Sequence, residues 1–222
     1  MIRNLFVCCA SLAFGACSTG SLLDSDLPVS SSYVIAPLPA LANATSSPAS
    51  QVDLAIARPD VAPGLDTSRI AVLRGRQLDY YRGAQWGGST LEVVQSLLVG
   101  SLQNQRLFRS VSSEQARISG AYMLDSEVRD FQAEYVDGRE APVVRVTIIG
   151  RLIRIADRAL VDSIEATATS NANDNRLTAV AAAFEAAGHQ VAQTLASGIA
   201  SAISRDQERI LAIPTPPDRQ VR

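Results

Sequence analysis

The residues best suited to covalent chemistry are three cysteines, and all of them lie near the start of the chain. Cys8 and Cys9 belong to an apolar run over residues 5–16, and Cys17 follows it directly. A basic start, a short apolar stretch and small residues before a cleavage point are typical of a secretory signal peptide. The stretch is too short to span a bilayer as a mature helix. We therefore predict that residues 1–16 are a signal peptide.

The residues around Cys17 indicate that its thiol is acylated. Gly15 and Ala16 match the bacterial lipoprotein box, although Phe14 stands where leucine is usual. In that box the cysteine receives diacylglycerol and palmitate-type chains, and it becomes the first residue after cleavage. Ser18 favours the periplasmic face of the outer membrane, because Asp at that position favours inner-membrane retention. An ordinary signal peptide with a chance cysteine is the alternative.

The other groups that could catalyse a reaction form no recognisable site. His189 is the only histidine, and no zinc-binding H-E-x-x-H, serine-hydrolase or phosphate-binding motif occurs. Glu127, Asp130, Glu134 and Asp137 cluster in sequence, but such carboxylates usually form a solvated face. We predict no enzyme activity, no metal and no cofactor. A lipoprotein hydrolase, the enzymatic alternative, would lose its turnover when His189 is changed.

Three large aromatic side chains form the strongest candidate for a binding site. Tyr80, Tyr81 and Trp86 bracket the short segment 82–85. Aromatic rings offer a large contact area with little rotamer entropy to lose, which suits protein interfaces. We assign the three residues to partner binding. A core plug that closes one end of a sheet is the alternative.

Composition bounds the class of protein. The 222 residues are 47% hydrophobic and 19% charged, which is typical of one folded domain with tails. The formal net charge is −2, and the basic residues are 20 arginines without any lysine. A dedicated nucleic-acid-binding protein would carry a basic surplus, so no nucleic-acid partner is expected.

The elements that must position these residues begin with short strands. Apolar runs predict strands at 33–35, 52–57, 70–73 and 78–81, with a turn between Tyr81 and Trp86. Ser89 and Glu92 form a capping box that opens a helix ending near 105–107. Its apolar stripe consists of Leu91, Val94, Leu98 and Leu102.

The hydrophobic pattern in the second half of the chain predicts three long strands and a long helix. The strands form an antiparallel meander with one buried and one polar face, and Phe131 lies out of phase, which indicates a bulge. In the last strand Leu160, Ile164 and Ala166 are predicted to share one face. An alanine-rich helix follows from Thr178 to about residue 205, with one apolar stripe formed by Val180, Phe184, Ala187, Val191, Leu195, Ile199 and Ile203.

These elements predict an α/β (α+β) fold, in which a mixed, largely antiparallel sheet carries two main helices on one face. We expect a signal peptide at 1–16, a lipidated flexible tether at 17–32, an α/β domain at 33–206 and a disordered tail at 207–222.

The order of these elements resembles one known family. The carriers of the resemblance are the Tyr33-Val34-Ile35 strand, Tyr81 and Trp86 before a leucine-rich helix, Glu127–Phe131 followed by a tyrosine and Asp137-Gly138, and the final alanine-rich helix. Over residues 33–204 the chain is similar to the ABC-type transport auxiliary lipoproteins, whose best-known members resemble paraquat-inducible protein C.

The resemblance implies a function without catalysis. Such lipoproteins partner an MCE-domain protein of an ABC transport system that moves phospholipids or other hydrophobic molecules between the inner and outer membranes. The family would dock the MCE protein at the outer membrane, and a homo-oligomer is compatible with this role. A non-catalytic envelope scaffold or assembly lipoprotein of similar build is the alternative function.

Overall fold

The computed structural model describes residues 30–40, 51–116, 120–136 and 138–212. The described part contains nine strands and two α-helices. In chain order they are β1 (Ser31–Tyr33), β2 (Asp53–Ile56), β3 (Asp60–Val61), β4 (Arg69–Arg74), β5 (Gln77–Trp86), α1 (Thr90–Gln105), β6 (Ser110–Ser113), β7 (Tyr122–Tyr135), β8 (Val143–Arg154), β9 (Ala159–Asn171) and α2 (Leu177–Leu211). Among the described helices, none has the length and apolarity needed to cross a membrane.

Strand β7 is the centre of a mixed sheet. Along one side it pairs antiparallel with β8, which pairs antiparallel with β9. Along its other side it pairs in parallel with β2, β3 and β4 in succession. β5 pairs antiparallel with β4 and parallel with β1, and β6 pairs in parallel with β2. The three longest strands form the predicted antiparallel meander, so the predicted fold class is confirmed.

Both helices cover the same face of the sheet, as their apolar stripes predict. All the stripe residues named above are buried, and all of them except Leu91 belong to one core with the inward-facing residues of β7 and β8. Gly150 of β8 allows the close approach of α2, because a β-carbon there would lie 3.1 Å from Leu195 and 3.0 Å from Leu124. Gly188 has the same role between the helices, since its β-carbon would lie 2.9 Å from Leu97.

The start of α1 follows the predicted capping box. The Glu92 backbone N–H donates to the Ser89 hydroxyl at 3.4 Å, and the Ser89 N–H donates to the Glu92 carboxylate at 2.8 Å. The helix ends at Gln105, with Arg106 in the left-handed region at φ 52°. Both ends agree with the sequence prediction.

Two β-bulges decide which side chains face the helices. In β7 the register with β8 shifts between Val128 and Asp130, which turns Phe131 into the core as predicted. In β9 a second shift, between its pairings with Leu152 and Ile153, leaves Leu160 on the opposite face from Ala166. Leu160 is 61% exposed, so its predicted place on the buried face is wrong.

The remaining differences concern element ends. β5 runs from Gln77 to Trp86 without the predicted turn. Its pairing with β4 shifts register between Tyr80 and Gln85, and β1 pairs with its last three residues. α2 begins at Leu177 after Arg176 and not at the predicted cap Thr178, and it continues through Leu211. Residues 207–211 of the predicted tail are therefore helical.

Of the predicted signal peptide and tether, only the last residues of the tether lie in the described part of the structure. Ser31 and Ser32, assigned to the tether, belong to β1, which ends at Tyr33. The signal peptide, Cys17 and the rest of the tether lie outside the described residues, as does Asp137 of the predicted β7–β8 turn.

Candidate functional site

Trp86 is part of the hydrophobic core. Its side chain is 1% exposed, and its ring centre lies 5.0 Å from that of Phe184 and 5.6 Å from that of Phe131. Because β5 continues through Trp86, the backbone holds the ring under the helices, and the Trp86 N–H donates to the Ser68 carbonyl at 2.7 Å. The partner-binding assignment of Trp86 is wrong, and the core-plug alternative describes it.

Tyr80 and Tyr81 are half-buried and point to different neighbours, because successive side chains of a strand face opposite ways. The Tyr80 hydroxyl donates to the Gly64 carbonyl at 2.6 Å, and the Arg69 guanidinium lies 4.0 Å from the centre of its ring. The Tyr81 hydroxyl lies 3.2 Å from that of Tyr135. The three predicted aromatic residues therefore do not form one surface.

Tyr81 belongs to a hydrogen-bonded chain that leads to the start of α2. Tyr135 donates to the Asn175 side chain at 2.5 Å, and the Arg74 guanidinium lies 4.5 Å from the Tyr135 ring centre. Burial, together with the hydrogen bond to Tyr135, raises the pKa of Tyr81 well above its usual value. Tyr81 is accordingly a neutral hydrogen-bonding group. We call this end of the sheet, with the β4–β5 turn and the start of α2, the tip end.

The opposite end of the sheet, with the β8–β9 turn and the end of α2, holds an open groove of about 700 Å³, and we call it the groove end. Three of its lining side chains are large, apolar and exposed: Ile155 by 42%, Ile210 by 44% and Leu211 by 85%. Val52 lines the side of the groove next to β2. Exposed apolar side chains gathered around a concavity are typical of interaction sites.

The polar floor of the groove is internally satisfied. Arg154 donates from Nη1 to both carboxylate oxygens of Asp206 at 2.8 Å, and from Nε and Nη2 to Asp157 at 3.0 and 2.8 Å. The Tyr122 hydroxyl donates to Asp206 at 2.8 Å. Burial, and to a smaller extent this hydrogen bond, raises the pKa of Tyr122 to about 12. Since each guanidinium nitrogen already has an acceptor, the groove suits an apolar group better than an anion.

His189 helps to hold the segment after β1 across the helices. Its Nε2–H donates to the Ala36 carbonyl at 2.9 Å, and the Ala36 N–H donates to Glu185 of the same helix at 2.9 Å. The Leu38 N–H donates to Ser101 of α1 at 2.9 Å. His189 is thus a satisfied structural histidine.

The acidic cluster lies mainly on the outer face of the sheet and is engaged by arginines. Glu127 accepts from Arg151 at 2.6 Å and from Arg129 at 3.1 Å, and these bonds lower the pKa of Glu127. Glu134 accepts from Arg145 at 2.8 Å. These contacts fit the predicted solvated face. Across the described ranges, no group of three or more metal-ligating side chains comes together.

Comparison with known proteins identifies the family. A model of the ABC-type transport auxiliary lipoprotein component matches residues 33–196, most of the chain. The chain belongs to this family of transport auxiliary lipoproteins. The predicted family resemblance is therefore confirmed.

Two solved structures agree in fold. A crystal structure of a Xanthomonas campestris protein from family DUF330 has a TM-score of 0.71 at 24% identity, covering 81% of this chain and 99% of that one. An uncharacterized protein has a TM-score of 0.58 at 14% identity, covering 76% and 99%. A PelC dodecamer from Paraburkholderia phytofirmans is more distant, with a TM-score of 0.42 at 15% identity, covering 72% and 91%. A search of curated proteins gave no significant match.

The groove of the lipoprotein was not predicted from its sequence, although one signal was present. Asp206 and Ile210 continue the helical spacing of the α2 stripe beyond Ile203. Extending the helix to that point would have predicted an apolar residue at an exposed end. The partners of that residue, Ile155 and Val52, come from distant parts of the chain.

Proposed function

We propose that this lipoprotein is anchored through Cys17 to the periplasmic face of the outer membrane and is the auxiliary component of an MCE-type ABC transport system. That system would move phospholipids or other hydrophobic molecules across the envelope. The observation that carries the proposal is the family match over residues 33–196, which follows a lipoprotein box at Cys17 in the same chain.

The anchor is tested by metabolic labelling with palmitate in the native envelope. Wild-type protein should incorporate label, and Cys17→Ser should incorporate none, because the acylated thiol is gone. Cys8→Ser and Cys9→Ser are matched controls that should label normally, since cleavage removes both positions. Label retained by Cys17→Ser would refute the anchor. Fractionation of the labelled envelope then tests the outer-membrane location.

The proposed contact with the MCE protein is the groove at the end of α2. It offers exposed Ile210 and Leu211, whereas the hydroxyls of Tyr80 and Tyr81 are already bonded within the chain. An apolar side chain of the partner would enter between them and Ile155, leaving the Arg154–Asp206 floor intact. The assignment of Tyr80 and Tyr81 to partner binding stays a prediction, to be tested in the same assay.

Cross-linking and co-purification from envelopes test the transport role and the contact together. The wild type should capture an MCE-domain protein, and Ile210→Ser/Leu211→Ser should capture at least tenfold less. Val34→Ser removes an exposed apolar residue away from both the groove and the tip end and should not reduce capture. Tyr80→Ala shows whether the tyrosines contribute. Failure of the wild type to capture any MCE protein would refute the transport role.

The alternative function, an envelope scaffold or assembly lipoprotein, predicts a different captured protein. A barrel-assembly component or a cell-wall enzyme in place of the MCE protein would favour it. In either role we propose no catalysis, which agrees with the family's description as an auxiliary component. Esterase or amidase turnover that disappears with His189→Ala would contradict this. A homo-oligomer is part of the proposal, and light scattering of the purified protein measures it.

A further inference from the structure

We propose that the β4–β5 hairpin at the tip end docks on the anionic headgroups of a phospholipid bilayer through Arg74, Arg76 and Arg82. The inference rests on the proposed function in one respect: the lipid anchor would hold the domain beside that bilayer. Docking would give the tethered domain a fixed orientation, with the groove end turned away from the membrane.

The first observation is charge. Residues 69–86 contain four arginines and one acidic residue, Asp79, in a chain whose net charge is −2. None of these four arginines forms an ion pair with the described residues, whereas seven arginines elsewhere do. All four are exposed. The hairpin is therefore a local excess of positive charge with no internal counterpart.

The second observation is the path of the chain. β1 pairs in parallel with β5, with Ser31 opposite Ala84 and Tyr33 opposite Trp86. Because the strands are parallel, the first residue of β1 points toward the same end of the sheet as Gln77, which follows the hairpin turn. β1 therefore begins beside the hairpin strand, opposite Ala84, with its first residue directed toward the tip end. An anchor on that side of the domain would hold the positive hairpin toward the bilayer.

The third observation is the surroundings of the turn. Val136, which follows β7 at the same end, is 51% exposed and lines a small recess together with Leu73 and Gly75. Arginine and exposed apolar groups side by side suit the interface between headgroups and acyl chains. The acidic groups near this end are Glu134, which lines the same recess, Asp79, Glu140 and Asp174. Glu134 is paired with Arg145 and Asp174 with Arg176, so the hairpin arginines keep a positive excess beside them.

The expected strength follows from the charges involved. A basic residue close to an anionic bilayer contributes about 1 kcal/mol, so removing two should weaken partitioning roughly thirtyfold. This attraction decays over a Debye length, which shortens from about 10 Å at 0.1 M salt to about 3 Å at 1 M. Binding through the hairpin must therefore weaken strongly with salt, unlike insertion of an acyl chain.

Vesicle flotation tests the proposal without the anchor. The protein is the chain from residue 17 to 222 with Cys17→Ser; every described element lies within residues 30–212, so this chain retains them all. The probes are vesicles of phosphatidylcholine and vesicles of equimolar phosphatidylcholine and phosphatidylglycerol. The expected result is salt-sensitive binding to the anionic vesicles only. Arg76→Gln/Arg82→Gln should bind them about thirtyfold more weakly.

A charge-matched control separates the hairpin from the overall charge. Arg58→Gln/Arg209→Gln also removes two exposed arginines without ion pairs to the described residues, but outside the hairpin, and it should bind nearly as the wild type does. Equal losses in the two double variants, or no preference for anionic vesicles, would overturn the proposal. So would a hairpin variant that binds vesicles normally but captures no MCE protein, since the hairpin would then contact a protein. Failure of palmitate labelling would refute the anchor and leave the vesicle result standing.

Discussion

The tip end and the groove end belong to the same sheet but present opposite surfaces. At the tip end, the arginines of the β4–β5 hairpin are exposed and either stack on tyrosine rings or extend into solvent. At the groove end, Arg154 is held by two carboxylates and apolar side chains are exposed instead. A free guanidinium can attract anions over a distance, whereas a paired one serves packing. This difference suits the tip end to long-range attraction of anions and the groove end to short-range contact with apolar groups.

This division suits the tethered adaptor that we propose. If the tip end faces the membrane, the groove end is the one accessible to a transporter component in the periplasm. The rigid core between the ends then sets the distance from bilayer to partner. Substitutions in the core, at the groove end and at the tip end test the two roles separately.

The largest effect is expected from Trp86→Ala in the core between the ends. Loss of a ring that packs on Phe131 and Phe184 should cost about 4 kcal/mol of unfolding free energy. Urea unfolding followed by circular dichroism measures it, and Trp86→Phe should cost distinctly less. A Trp86→Ala protein with unchanged stability and weaker partner capture would restore Trp86 to a docking role.

At the groove end, Asp206→Ala should cost about 3 kcal/mol, because it leaves Arg154 and Tyr122 without their buried acceptor. The same denaturation experiment measures it. Asp157→Ala is the matched control, since Asp157 pairs with the same arginine from an exposed position. If both variants lose equal stability, the burial of Asp206 does not make its contribution larger than that of the exposed Asp157.

At the tip end, Tyr81→Phe should cost about 1 kcal/mol. It removes one hydrogen bond, while Tyr135 keeps its bond to Asn175. Tyr80→Phe, the matched variant, should cost less because its bond to Gly64 is more exposed. Neither change should alter vesicle binding, since the hairpin arginines remain. Lost vesicle binding in Tyr81→Phe would mean that this tyrosine chain positions the hairpin.

The smallest effect is expected in the stability of the protein at acid pH. Hydrogen bonds from Arg109 and Ser110 lower the pKa of Asp53, at the start of β2, from 3.8 to about 2. A lowered pKa contributes stability above the ordinary value, and this contribution is lost as the pH falls through the folded value. Asp53→Asn should therefore flatten the stability profile between about pH 4 and pH 2, as seen in thermal melts. An unchanged slope of stability against pH in this range would show that Arg109 does not pair with Asp53 in solution.

Sequence reasoning succeeded where structure depends on neighbours along the chain. The capping box at Ser89, the stripes of α1 and α2 and the bulge before Phe131 are patterns of spacing within a few residues. It failed where a strand depends on pairing partners. β5 continues to Trp86 because β1 and β4 bond to it, although Gly83 with φ 66° suggests a break within the strand. Leu160 is exposed because a bulge in β9 reverses the alternation.

By itself, the sequence determined the lipoprotein box, the two amphipathic helices, the three-strand meander and the family. These are periodicities and motifs that can be recognised from residues close together in the chain. Only the tertiary structure decided that Trp86 is core, that Arg154 and Asp206 pair beneath an apolar groove, and that the hairpin arginines form no ion pair with the described residues. Those outcomes depend on contacts between residues far apart in sequence, because packing brings distant groups together and spacing along the chain does not encode which ones.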